Sequence, residues 1–428
     1  MITNTKNRIL FYLDKLTELS GIDLRYVVKG SYWSTVDLVI ANSASLLLAM
    51  AFTRLLPKEI YGTYSFVLSY AGIFSTFAIS GITGVITRSI AKGFEGDLQR
   101  SLKYKMQWGL VSSTLSLAFA IYYLMAGNNT LAMSFGLVAV LLPSYTASTV
   151  VSSYFFAKEL FKYNSIVGIS VKATSLVVMV FTMFFTKSVP IIILAYFVPD
   201  QLIRFCFLRW AIKKYQKNKE TSPDMNIFAM HFTAMNILGG ISKRLDSILL
   251  FHYIGAAELA IYRFAQLPME KMQSLIGIMM GPGVPRFAKR DYGEIYPLLG
   301  KKLIWFNMLV LVIATCLFIL LPFAFKILFP QYMESVYYAR LLILTMVFSA
   351  PAVIHGIWQA KIEIKKLYVL KIITHVSRIA IFPVLIPLYG ISGAIWSQVA
   401  ISFFAGFYIY IMYLKEKAHY LKMARNSK

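Results

Sequence analysis

Acidic residues are scarce in this chain. Of 428 residues only 19 are Asp or Glu, and charged residues of both signs make up 14%. A soluble protein carries about 25% charged residues to stay dispersed. The shortfall excludes a soluble enzyme of this size and a disordered chain. Cysteine is nearly absent too. Cys206 and Cys316 both sit inside apolar runs, which excludes a disulfide framework and a cysteine metal site. They read as small buried hydrophobes. A signal peptide is also missing, because residues 1–31 hold no continuous apolar core before a small-residue cleavage site.

What is present is apolar and basic. Hydrophobic residues reach 58%, and 43 Lys and Arg give a formal charge of +24. Mean hydropathy is +0.64. Twelve apolar segments of about 20 residues can each cross a hydrocarbon core of about 30 Å. They run over 32–53, 61–86, 106–126, 131–156, 165–186, 190–210, 227–250, 259–282, 303–325, 337–359, 368–389 and 392–414. They are too long and continuous for barrel strands, so the expected fold is an all-α polytopic membrane protein.

The location of the bases separates nucleic-acid binding from membrane topology. With the N-terminus inside, the inside segments hold 31 Lys and Arg, and the outside loops hold only Arg54, Lys58, Lys187 and Lys326. That asymmetry places both termini in the cytoplasm and accounts for the basic excess without nucleic acid. Ile9, Leu13 and Leu16 recur at helical spacing among bases, which reads as an amphipathic helix on the membrane surface. No outside loop exceeds about a dozen residues, which leaves no domain for polymerase or transferase chemistry. The expected protein is not an enzyme and needs neither metal nor cofactor.

The halves of the chain echo each other. At an offset of 198, Tyr64-Ser65-Phe66 aligns with Tyr262-Arg263-Phe264, Arg88 with Arg286, Lys92 with Arg290, and Lys103 with Lys301. At 203, AKELFK (157–162) aligns with AKIEIK (360–365). A duplicated six-span unit inserts the same way up twice, as parallel repeats. The expected division is an N-terminal segment (1–31), a six-helix bundle (32–212), a cytoplasmic linker (213–226), a second bundle (227–414) and a basic tail (415–428), with the bundles around a central cavity.

PKEIYGTYSF (57–66), SYFFAKELFKYNSI (153–166) and KRLDSILLFHYIGAAELAIYRFA (243–265) resemble turns of the polysaccharide-transport branch of the multidrug/oligosaccharidyl-lipid/polysaccharide exporter superfamily. The resemblance covers roughly residues 30–415, and within the branch it is nearest to Wzx-type flippases for O-antigen or capsule units. One departure is Ala260, which stands where the first half has Gly62. The resemblance implies a MATE-like architecture and a bacterial inner-membrane location. It also implies transfer of an undecaprenyl-pyrophosphate-linked oligosaccharide by alternating access, coupled to H+, Na+ or the membrane potential. Membrane lipids, a polysaccharide polymerase and glycosyltransferases would be its partners.

Charges within the spans need a reason, since each costs about 2.5–3.5 kcal/mol at mid-bilayer. Lys172, Arg340 and Lys371 lie near span ends, where snorkelling accounts for them. Asp200 and Arg204 are spaced for an i,i+4 ion pair. Lys271 and Arg378 are deeper. Lys371, His375 and Arg378 share one helix face, and Lys243, Arg244 and Arg263 add further cations. These seven are the candidate cationic cavity for a pyrophosphate, with salt-bridging to Glu270 or Asp37 as the structural alternative for Lys271 and Arg378. Asp246, Glu270 and Asp37 are candidate coupling carboxylates, and Asp37 could equally partner a nearby base. The rival reading is a cation- or proton-coupled drug or metabolite antiporter of the same architecture. A cationic drug would favour an acidic cavity, whereas eight bases face four acids in the spans. The inside-loop signature of major-facilitator transporters is missing from RSIAKGFEGDLQR (88–100).

Overall fold

The computed structural model of the chain describes residues 24–280, 292–348, 351–361 and 363–426. Most of the expected amphipathic segment, residues 1–23, lies outside the described residues, as do Arg286 and Arg290. Among the described residues the regular elements are all helical. Each expected span coincides with a helix or a broken helix. In chain order these are α1 (Leu24–Leu55), α2 (Lys58–Phe77), α3 (Ile82–Ala91), α4 (Asp97–Met125), α5 (Asn129–Ser148), α6 (Val150–Ala157), α7 (Phe161–Phe185) and α8 (Val189–Tyr215). There follow α9 (Met225–Ser242), α10 (Leu245–Tyr253), α11 (Ala256–Met280), α12 (Tyr292–Leu328), α13 (Ser335–Ile343), α14 (Pro351–Ala360) and α15 (Ile364–Asn426).

Among the described residues, seven helices are long and apolar enough to cross a membrane, or eight if the bent pair α2–α3 is one span. Twelve expected segments give fewer uninterrupted helices for local reasons. α2 and α3 meet at 50°, where Ile79 takes a positive φ. α9 and α10 break at Lys243–Arg244, and α13 passes through the 3₁₀ turn Leu344–Phe348 before α14. α11 carries Glu258, Arg263, Glu270 and Lys271. α15 is two spans joined at Gly390, whose φ of 57° is non-helical.

The chain forms two compact units. One comprises residues 1–49 and 74–236, the other residues 50–73 and 237–428. In the first unit, α4 packs along α5 with a small, polar stripe. Its buried residues include Ser101, Lys105, Gly109, Ser112, Ser116 and Ala120, spaced three or four apart on one face. A Cβ at Gly109 would stand 2.7 Å from Pro143. Ser112 donates to the Phe74 carbonyl at 2.6 Å and Ser116 to that of Phe135 at 2.8 Å. The apolar residues Leu110, Leu117, Ile121 and Leu124 face outward. This arrangement suits lipid, which solvates leucine as well as a protein core does, so helices associate through small and hydrogen-bonding residues.

The same physics corrects the cysteine expectation. Cys206 and Cys316 are free and exposed, not buried. In hydrocarbon an apolar side chain gains little by moving inward, so apolarity does not predict burial.

In the second unit, Phe264 stacks on Tyr332 at 3.8 Å and Phe66 on Phe251 at 3.8 Å. Gly62 brings α2 against the start of α11, where an added Cβ would lie 1.8 Å from the Ala256 carbonyl oxygen. Leu299, Ile357, Trp358, Leu370 and Tyr413 form a further core.

Each unit ties its polar ends with carboxylate–lysine contacts. In the first, buried Glu95 pairs with Lys158 and accepts from the Lys217 backbone N–H at 2.6 Å. Asp97 accepts from the Ser89 hydroxyl and from the Ser222 N–H, and Arg100 donates to the Ser222 carbonyl at 2.9 Å. The 213–226 linker is therefore held against the 93–100 turn. In the second unit, Glu363 accepts from the Tyr292 hydroxyl at 2.6 Å, and Lys366 bridges Glu363 and Glu416.

Burial pushes the Glu95 carboxyl up, but the hydrogen bonds from Lys158 and the Lys217 N–H outweigh it and hold it below its ordinary value of 4.5. A depressed carboxyl contributes stability above its unfolded value and loses it as pH falls through the folded one. Glu95→Gln should lower stability by about 1–3 kcal/mol at neutral pH, measured by thermal unfolding in detergent. The difference from the unsubstituted chain should shrink as pH falls below about 4.5; a difference as large at pH 3.5 as at pH 7 would refute the assignment.

Candidate functional site

The second unit gathers most of the charged span residues. The α9–α10 break exposes Lys243 and places Arg244 at the start of α10. Arg244 lies against the bare face of Gly72, where a Cβ would be 2.1 Å from its Nε. Two residues into α10, Asp246 is 4% exposed. Its Oδ2 accepts from the Tyr262 hydroxyl at 2.7 Å and from Gln266 Nε2 at 3.4 Å. Its Oδ1 accepts from the Ser247 N–H at 2.7 Å and the Ser247 hydroxyl at 3.3 Å. Among the described residues the hydrogen-bond donors to this carboxylate are neutral, and they satisfy it as a buried charge demands.

Arg263, Gln266 and Glu270 occupy one face of α11 by their spacing of three and four. Arg263 Nη1 donates to Gln266 Oε1 at 3.0 Å and lies 4.0 Å from Glu270 Oε1. Its side chain remains 37% exposed, so it is a surface accessible beside a buried network. On α15, His375 Nδ1 pairs with the Ser242 hydroxyl at 2.6 Å, and its ring packs on Gly239. His375 lies within Coulomb range of Arg378, Lys243 and Lys371, and Arg378 within range of Tyr262. Arg378 is half-buried, and its Nε is shielded from solvent with no hydrogen-bond partner among the described residues.

Asp246, Arg263, Glu270, His375, Arg378 and Lys243 thus form one connected electrostatic neighbourhood. Lys371 is exposed at its edge. Lys271 does not join the Arg263–Glu270 face. Consecutive helical residues point about 100° apart, and Lys271 shares its side of α11 with Phe264 and Leu267.

Asp37 belongs to the other unit. Its carboxylate covers Gly168, where a Cβ would lie 2.5 Å from Oδ1. Lys172 and Arg204 are within Coulomb range. The expected Asp200–Arg204 pair is present, and Arg204 also donates to the Ser152 hydroxyl at 3.3 Å. Sequence reasoning missed Lys105, which was read as part of an inside loop. It is buried within α4 and donates to the Thr146 carbonyl at 3.0 Å and the Thr149 hydroxyl at 2.9 Å. Tyr262 and Gln266 were missed as well. Their signal was polarity in an apolar run without formal charge.

No cluster of three or more metal-ligating residues occurs among the described residues. Residues 27–290, more than half of the chain, match the family model described as "Polysaccharide biosynthesis protein". The chain belongs to this family. No curated protein matches it by sequence search. Solved structures do match in fold. An inward-facing multidrug resistance MATE family transporter of the MOP superfamily aligns at TM-score 0.64 and 13% identity, over 89% of this chain and 96% of that one. Lipid II flippase MurJ, inward closed, aligns at TM-score 0.64 and 12% identity, over 92% and 91%. A MOP superfamily transporter from Pyrococcus furiosus, described by the reverse polarity of its binding pocket, aligns at TM-score 0.63 and 12% identity, over 92% and 96%. The fold of this family member is therefore that of MOP transporters, a multi-pass helical membrane protein.

The Asp246 network makes a stability prediction for the family member. Tyr262→Phe removes one donor to a buried charge and should cost about 1.5–3 kcal/mol. Combined with Asp246→Asn the two losses should fall short of additivity by at least about 0.5 kcal/mol. Strict additivity in a double-mutant cycle, measured by thermal unfolding in micelles, would show that the two do not interact.

Proposed function

We propose that the chain is a flippase, not an enzyme, that moves undecaprenyl-pyrophosphate-linked oligosaccharide units of O-antigen or capsule type across a bacterial inner membrane by alternating access. Both termini face the cytoplasm, as the basic loops require. The repeat organisation is two six-helix bundles, 32–212 and 227–414, with a surface segment at 1–31 and a basic tail at 415–428. Glycosyltransferases build the substrate and a polymerase consumes it.

One observation carries the reading. Arg378 is a guanidinium in a membrane span whose Nε has no hydrogen-bond partner among the described residues, within Coulomb range of Tyr262, whose hydroxyl donates to Asp246. A shielded N–H without an acceptor is costly. The charge-assisted bond that would offset this cost is one to an anionic ligand, and arginine presents a planar fork suited to phosphate. His375, Lys243 and Arg263 extend the positive field. Lys271, Lys371 and Arg244 add charge at its margins. Coupling to a proton or sodium gradient would run through Asp246, Glu270 or Asp37. The drug-antiporter reading has less support, because a cationic substrate would meet this field unfavourably.

Arg378→Ala should cut surface polysaccharide about 10–100-fold, the loss expected for a charge-assisted hydrogen bond, with the protein still inserted. Lys271→Ala should also reduce it. Arg378→Lys should retain partial export, keeping the charge without the fork. Export is read by surface glycan staining in cells expressing each variant. Normal export from both alanine variants would sink the cationic-site reading.

A further inference from the structure

The first compact unit contains a groove that the cationic residues above do not use. It lies between α3 and α9 and encloses about 750 Å³, within the range of small-ligand sites. Its two walls differ in chemistry. On the α3 side, Gly84, Arg88 and Lys92 recur every four residues and share a face. Nothing stands within 4 Å of where a Cβ at Gly84 would lie, so this glycine opens the floor. Arg88 and Lys92 line the groove and are exposed. On the α9 side, Phe228 and Phe232 line the same space. Gly81 sets the width: a Cβ there would lie 2.6 Å from the Ala229 carbonyl oxygen and from the Thr233 nitrogen, and its N–H donates to the Thr233 hydroxyl at 3.0 Å.

The geometry points to this groove as a second anion site, for the pyrophosphate and proximal sugar of the isoprenoid-linked substrate on the cytoplasmic face. Resting on the flippase reading, it names a separate place where the substrate is first held. Two bases on one helix face suit two adjacent phosphates. The rings opposite suit the apolar face of a sugar. One carboxylate, Asp224, shares the lining and leaves the bases in excess. The neighbouring faces of α9 are apolar and open, with Ile227 60% and Met230 54% exposed. An isoprenoid tail can therefore stay in lipid while its headgroup occupies the groove. The pair of bases recurs in the second half of the sequence as Arg286 and Arg290.

The test measures equilibrium binding of radiolabelled farnesyl diphosphate to the full chain in detergent micelles. Arg88→Ala/Lys92→Ala should weaken binding about 10-fold or more, the loss expected when charge-assisted bonds are removed. Gly84→Leu, which fills the groove without changing charge, should do the same. Gly136→Leu, at an open position elsewhere, should not. Both bases are exposed, so the double variant should keep its melting temperature. Unlabelled farnesyl diphosphate should compete better than inorganic pyrophosphate or phosphatidylglycerol micelles. Equal competition by phosphatidylglycerol would overturn the assignment in favour of a general acidic-lipid site. Binding unaffected by the groove variants but lost in Arg378→Ala would overturn this inference and leave the flippase reading standing. No binding to the unsubstituted chain would overturn both.

Discussion

The exterior of this protein is hydrocarbon, and most of its structure follows from that solvent. Apolar side chains gain nothing by leaving lipid for a protein interior, so something else must hold the helices together. In α4 the buried stripe includes Ser101, Lys105, Gly109, Ser112, Ser116 and Ala120, while Leu110, Leu117 and Leu124 point out. Gly109 against Pro143 and Gly62 against Ala256 bring backbones close enough for dispersion to act along a whole helix. Serine hydroxyls then donate to carbonyls of the neighbouring helix, as Ser112 does to Phe74. Cohesion rests on closeness and on satisfied polar groups.

The same solvent makes charge placement informative. At the polar ends, carboxylates and lysines pair directly, as Glu95 does with Lys158 and Lys366 with Glu416. Inside the second unit the pattern changes. Asp246 takes its hydrogen bonds from Tyr262, Gln266 and Ser247, although Arg263 is within Coulomb range. Arg263 Nη1 donates to Gln266 Oε1 instead.

The fold was legible because its determinant is hydrophobic length. Twelve apolar runs and the asymmetry of loop bases needed no tertiary information, and each run coincides with a helix or a broken helix. The breaks were less legible. Nothing local marks Ile79 for a positive φ, a conformation that packing imposes on a β-branched residue. The two cysteines were misread because a rule from soluble cores was carried into lipid. Of the site, the formal charges were visible and their partners were not. Lys105 was hidden by standing next to loop bases, and Tyr262 and Gln266 by being neutral. Glu270 and Lys271 looked like one feature in sequence, yet helical geometry sends them to different faces.

The breaks also explain where the chemistry collects. A span interrupted at depth frees backbone groups that lipid cannot satisfy, so irregular backbone survives only where protein covers it or a polar cavity reaches it. α2–α3 breaks around Ile79, and Ser80 and Gly81, the next residues, line the groove of the first unit. α9–α10 breaks at Lys243–Arg244, and the Asp246 network begins two residues later. These are the second and seventh of the expected spans. Each is also where the chain passes from one compact unit to the other, between residues 73 and 74 and between 236 and 237. A polar cavity tolerates the broken helix, and the broken helix places donors and charges where a continuous one would offer none. The two requirements meet twice in this chain, once in each unit.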